Sequence, residues 1–166
     1  MQERSVESII DDVLSIWKDK ELIDQNSGAD DPYLKRVVSL MKDRSRRVTE
    51  LAENAWYFFQ DPSGYDEKAA RKHFFKGDAV SVLNGLIEKL SQTDSFDEQT
   101  LEEIYRDYAG QNELSTGKLI HPTRLAVSGV SFGPGLYEML EVIGKDRVIS
   151  RMTAAVKWIE QNRQSA

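Results

Sequence analysis

The stretch VESIIDDVLSIW, residues 6–17, sets Val6, Ile9, Ile10, Val13, Leu14 and Trp17 at i, i+3, i+4, i+7 spacing, with acids and serines between them. That is the period of one apolar helical face, and it predicts an amphipathic helix running to about Ile23. The same period returns along the chain. After the turn Asn26 to Asp31, Asp31 is placed to cap a second helix with Pro32 in its first position. That helix carries Leu34, Val37, Val38 and Met41. A bend is expected near Arg44–Arg47, followed by a stripe of Val48, Leu51, Ala52, Ala55, Trp56 and Phe59 that Asp61-Pro62-Ser63-Gly64 stops. A short helix from about Asp66 to His73 comes next. Gly77-Asp78 then opens a stronger one bearing Val80, Val82, Leu83, Leu86, Ile87 and Leu90. Ser95-x-x-Glu98 reads as a capping box for a helix with Leu101, Ile104, Tyr105 and Tyr108 inward.

Beyond residue 116 the texture changes. Gly117, Pro122, Gly129, Gly133, Pro134, Gly135 and Gly144 divide three short helices, with Gly144 capping one before a last helix of Val148, Ile149, Met152, Val156 and Ile159. Strand-like alternation and fixed-period repeats are absent. The expected fold class is all-α and multihelical, in two small helical subdomains, residues 1–112 and 113–166, with the break near 110–116.

The 166 residues, 40% hydrophobic and 30% charged, suit a folded domain with a modest core. With no cysteine, a disulfide framework and thiolate metal sites are excluded, and a reducing, cytoplasmic setting is expected. No apolar run approaches the roughly 20 residues that span a bilayer, and no basic-then-apolar leader opens the chain, so a membrane is not expected as a partner.

The net charge of −6 opposes phosphate binding as a sum but not as a distribution. Residues 1–34 hold 9 acids and 3 bases, and residues 94–113 hold 7 acids and 1 base. Residues 35–47 hold 6 bases (Lys35, Arg36, Lys42, Arg44, Arg46, Arg47) against Asp43, and residues 118–166 hold 7 bases against 4 acids. Two basic segments far apart in sequence are candidates for one nucleic-acid-binding face, although Arg-rich helix faces are more often simply solvated.

Catalytic signatures are missing. Gly133-Pro134-Gly135 is neither a phosphate-binding loop nor a dinucleotide fingerprint. His73 and His121 stand 48 positions apart, outside any metal-ligand spacing, and each reads as structural. The adjacent pairs Asp11-Asp12, Asp30-Asp31 and Glu102-Glu103 project to different sides of a helix and do not converge. No serine sits in a nucleophile-elbow setting. No catalytic residue, no metal and no cofactor is expected in the chain.

HPTRLAVSGVSFGPGLYEMLEVIGKDRVISRM, residues 121–152, resembles the C-terminal signature of bacterial glutamyl-tRNA synthetases. It shares a Pro-x-Arg, small apolar residues, a Ser-Gly, a loop ending in Pro-Gly-Leu-aromatic, and a Gly-Lys-acid-Arg run in the same order. YLKRVVSLMKDRSRRVTELAENAWYFF, residues 33–59, is similar to the family's helix-Arg-helix stretch that ends in aromatics. The resemblance implies the non-catalytic, helical anticodon-binding part of that class I ligase, a piece of a longer chain. The domain using ATP and Mg to join glutamate to tRNA is not represented here. It implies the anticodon loop of glutamate tRNA as partner, a monomer, and no role for DNA. Residue by residue, Arg124 matches the signature arginine, and Gly133, Pro134, Gly135, Leu136 and Tyr137 match the anticodon-contacting turn. Arg44 matches the helix-end arginine, with Arg47 as its alternative. Gly133 stands where a hydroxyl residue is common in the family, and Tyr137 where Phe is more frequent.

Those residue types suit the task. Splayed bases are read by stacking and by hydrogen bonds to their edges, and arginine offers a planar fork of donors. On the residues alone, the same turn serves as interhelical punctuation with Leu136 and Tyr137 in a core. Two other readings stay open: a DNA-reading helix-turn-helix around Gly144 with Arg147 and Arg151 on one face, and an all-helical protein-interaction module.

Overall fold

The computed structural model describes residues 4–163, among which there are nine α-helices and no strand. The chain falls into two compact units, Met1–Gln60 and Asp61–Ala166. The division is at Gln60–Asp61, and the stretch 110–116, where the composition predicts a break, lies inside the second unit.

In the first unit α1 (Val6–Asp19), α2 (Pro32–Lys42) and α3 (Val48–Asn54) are followed by a 3-10 turn at Trp56–Phe58. The apolar face of α1, Ile9, Ile10, Val13, Leu14 and Trp17, is buried as its period requires, against α2 and α3. Trp17 anchors the packing: its indole Nε1 donates to the Ala52 carbonyl at 3.0 Å, and its ring meets Phe59 edge-on at 4.8 Å. Asp31 caps α2, its carboxylate accepting from the amides of Tyr33 and Leu34. α1 stops at Asp19, short of the expected Ile23, because Glu21 turns left-handed at φ +58°.

The second unit contains α4 (Glu67–His73), α5 (Ala79–Gln92), α6 (Glu98–Gln111), α7 (Gly117–Ser128), α8 (Leu136–Ile143) and α9 (Lys145–Asn162). α9 packs along α5 and α7, α6 packs on α8, and α4 on α7. Buried Leu83, Leu86, Leu90, Leu101, Leu119, Leu125, Met139, Met152 and Ile159 form the core. At Gly85, inside α5, an added Cβ would lie 2.0 Å from the Tyr108 hydroxyl of α6, so the two helices approach there only because no side chain intervenes.

Three local expectations are corrected here. The cap of α6 is Asp97, whose carboxylate accepts from the Thr100 amide at 2.7 Å. Ser95 instead closes a turn with Thr93, because an acceptor directly before the first helical residue is better placed than one two residues further back. Pro122 lies inside α7 and does not divide helices. An interior proline costs about 3 kcal/mol, and the helix continues because buried Leu119, Leu125, Ala126 and Val127 hold it on both sides. The last helix, at 18 residues, is not short.

Candidate nucleic-acid interface

α7 ends in a connection, residues 129–135, that leads into α8, and its root is fixed by several hydrogen bonds. The Ser128 hydroxyl donates to the Arg124 carbonyl at 2.7 Å and accepts from the Val130 amide at 3.3 Å. Gly129 is left-handed at φ +79°, and its carbonyl accepts from the Asp66 amide at 2.9 Å. Arg151 of α9 donates through one guanidinium nitrogen to the Val127 carbonyl and through Nε to Asp61, both at 2.8 Å.

From that anchored root the chain presents Phe132, 59% exposed, the exposed large hydrophobic residue among the described residues. Gly133 follows at φ +146°, a region that side chains disfavour, so glycine here serves the backbone path. Pro134 and Leu136 are buried, and Tyr137 is half-buried. The Tyr137 ring meets Tyr105 edge-on at 5.4 Å, and the Tyr105 hydroxyl donates to Thr123 Oγ1 at 3.0 Å inside the core. Burial, and secondarily the charge of Glu102, raises the Tyr137 phenol above its ordinary value, so it is a neutral donor at neutral pH. The surface offered is therefore the Phe132 ring, one side of Tyr137 and the glycine backbone between them.

The surroundings are acidic. Glu138 lies beside Gly135, and Glu98, Glu102, Glu138 and Glu141 are near enough for burial and mutual repulsion to raise the Glu98 carboxyl above the usual range. Such a surface repels phosphate and suits uncharged base faces and edges.

Arg124 is half-buried on α7, on the stripe of Gly117 and His121 at i, i+4, i+7 spacing. Arg44 and Arg47 belong to the first unit, both exposed in the non-helical link from α2 to α3. Buried Ser45 shapes that link by donating to the Met41 carbonyl at 2.8 Å, and the Arg46 amide donates to Glu50 at 3.1 Å. The turn and Arg124 thus share one unit, and the basic link belongs to the other.

The helix-turn-helix alternative fails on its arginines. Arg151 is 2% exposed and committed to Asp61 and Val127, so it cannot reach into a groove. Arg147 Nε donates back to the Ile143 carbonyl at 2.9 Å. Phe132 is absent from the sequence-based candidates, although an aromatic between Ser131 and Gly133 fits the apolar period of neither flanking helix, and that misfit is its signal.

Residues 8–156 match a family model described as an anticodon binding domain. The chain belongs to the anticodon-binding-domain family. This anticodon-binding domain is 42% identical over 130 residues to a glutamate–tRNA ligase of Moorella thermoacetica, covering 78% of the chain and 26% of that protein. It is 43% identical over 133 residues to one from Chloroherpeton thalassium, covering 79% of the chain and 26% of that protein. It superimposes on the crystal structure of a glutamate tRNA ligase from Elizabethkingia meningosepticum with a TM-score of 0.82 at 28% identity, over 94% of this chain and 30% of that one. The anticodon-binding domain spans roughly a quarter to a third of the length of these relatives.

Proposed function

We propose that this chain is the anticodon-reading region of a glutamate–tRNA ligase, and that it reads the anticodon loop of glutamate tRNA with the Phe132–Tyr137 turn. The family match over residues 8–156 supports this reading most strongly. The exposed Phe132 ring on an anchored glycine turn is the feature that gives it a mechanism. An unstacked base gains about 1–3 kcal/mol by stacking on an aromatic side chain, and every base has such a face. Specificity then comes from donors and acceptors at the base edge, supplied by the Gly133–Gly135 backbone, the Tyr137 hydroxyl and the fork of Arg124. Arg44 and Arg47, exposed in the first unit, are candidates for RNA contact in that unit by itself. Leu136 and Pro134 support the turn from the core side. In this reading the domain works as a monomer in the cytoplasm. The activation of glutamate with ATP and magnesium belongs to a part of the ligase that these residues do not include.

A salt-controlled titration of the chain against a glutamate-tRNA anticodon stem-loop, an anticodon-swapped stem-loop and a DNA duplex tests this. A preference for the first is expected, and equal weak binding to all three would refute it. Phe132→Ala and Arg124→Ala should each weaken cognate binding by about 1–3 kcal/mol with helicity intact.

A further inference from the structure

At the opposite end of α7 from the Phe132 turn lies a cleft of about 790 Å³, bounded by the end of α4, the start of α5, the end of α6 and the start of α7. Lys72, Lys76 and Lys118 line it, together with His73 and His121, whose rings stack at 4.8 Å with an angle of 18° between their planes. The one carboxylate lining the cleft among the described residues, Asp78, is already occupied as the cap of α5, accepting from the Ser81 amide at 3.2 Å. The three lysines form no ion pair among the described residues, so their charge is directed at solvent. The charge along α7 is sorted, with lysines and imidazoles at its first turn and glutamates beside the connection that follows its last. His121 is exposed one turn from half-buried Arg124 on the same stripe of α7, and the cleft and the Phe132 turn are separated by roughly 10–15 Å of helix.

We infer that this cleft binds a phosphate group of the RNA backbone, holding the loop's strand while the acidic, aromatic end of α7 meets its bases. The inference rests on the RNA-binding reading above. Lysine ammonium groups act on phosphate as point charges, and imidazoles donate to it once protonated. The charged and titratable groups facing the histidine pair are Lys72 and Lys76 at the end of α4, Asp78 before α5, Tyr108 of α6 and Lys118 of α7. Burial, then the neighbouring His121 and Lys72, lowers the His73 imidazole below its ordinary value, so it is neutral at neutral pH. A bound phosphate reverses that preference by favouring the imidazolium, and binding therefore tightens as pH falls.

The test uses the full chain, with the His73 and His121 ring signals followed by NMR during titration with inorganic phosphate, the cognate stem-loop and the anticodon-swapped stem-loop. Both ring signals should move with all three, and the His73 titration midpoint should rise from its lowered value. The Lys72→Ala/Lys76→Ala/Lys118→Ala variant, with unchanged helicity, should bind both stem-loops about tenfold more weakly. Its slope of log affinity against log salt should fall by roughly 0.7–0.9 for each phosphate that the variant no longer neutralises, with preference between the loops unaltered. Unchanged affinity and slope in that variant overturn the inference while leaving anticodon reading intact. Equal binding of the two loops by the unmodified chain, with the lysine-dependent slope preserved, sinks anticodon reading and upholds the cleft. Ring movement with inorganic phosphate but not with RNA marks a free-oxyanion site and overturns the RNA assignment, and so does the absence of any RNA binding.

Discussion

Arg151 is a buried cation whose position is explained by what it holds. Its guanidinium ties the last turn of α7, at the Val127 carbonyl, to Asp61, and so fixes the root from which Phe132 projects. Arg151→Met keeps the bulk but leaves the Val127 carbonyl without this donor, at an expected cost of about 1–3 kcal/mol in urea unfolding. Asp61→Asn should cost less, because the Asp61 side chain is 69% exposed and water screens its charge. His73 gives a pH dependence of definite sign. Its folded value is depressed below 6.5, so below that pH the unfolded chain binds more protons, and stability is lost as pH falls through the window between the unfolded and the folded value. Thermal melts should show the unmodified chain losing more stability between pH 7.5 and 5.5 than His73→Phe does, and added phosphate should shrink that difference. The sequence marks Arg151 as a base on a helix, with no sign that it is buried, because that depends on residues 24 and 90 positions away.

At the scale of the element, two helices end in the same way without the usual residue. After α1, the Glu21 amide bonds the Lys18 carbonyl and the Leu22 amide bonds that of Trp17. After α6, the Glu113 amide bonds the Gly110 carbonyl and the Leu114 amide that of Ala109. Both are Schellman caps with glutamate at the left-handed position, φ +58° and +54°, where glycine is the common choice. The backbone penalty for a side chain there exceeds the entropy glycine adds to the unfolded state, so Glu21→Gly and Glu113→Gly should each stabilise the fold by about 0.5–1 kcal/mol. An unchanged or lowered urea midpoint would contradict this. The helix starts were legible because Asp31, Asp66 and Asp78 each cap through their own carboxylates next to the helix they open. The ends of α1 and α6 were not, because a glutamate carries no local sign that its φ is positive.

For the whole molecule, size and charge set the expectations. The first unit, about 60 residues, is at the length where a domain buries only about 60% of its unfolded surface, whereas the second is longer and has the larger core. Fragment 61–166 should therefore melt cooperatively by circular dichroism, at a higher temperature than fragment 1–60, and a non-cooperative melt of 61–166 would contradict its reading as a self-sufficient unit. The net charge of −6 does not decide RNA binding, since glutamates gather beside the Phe132 turn and lysines in the cleft at the other end of α7. The sequence by itself determined the all-helical class, most helix starts, the apolar faces and the family. Each of these rests on a period, a cap or a run that acts over a few neighbouring residues. Only the tertiary structure decided that Leu136 is core while Phe132 is exposed, that the chain divides at Gln60–Asp61, and that His73 and His121 stack across 48 positions. Exposure and proximity depend on what packs against a residue, and its partners here come from helices far away along the chain.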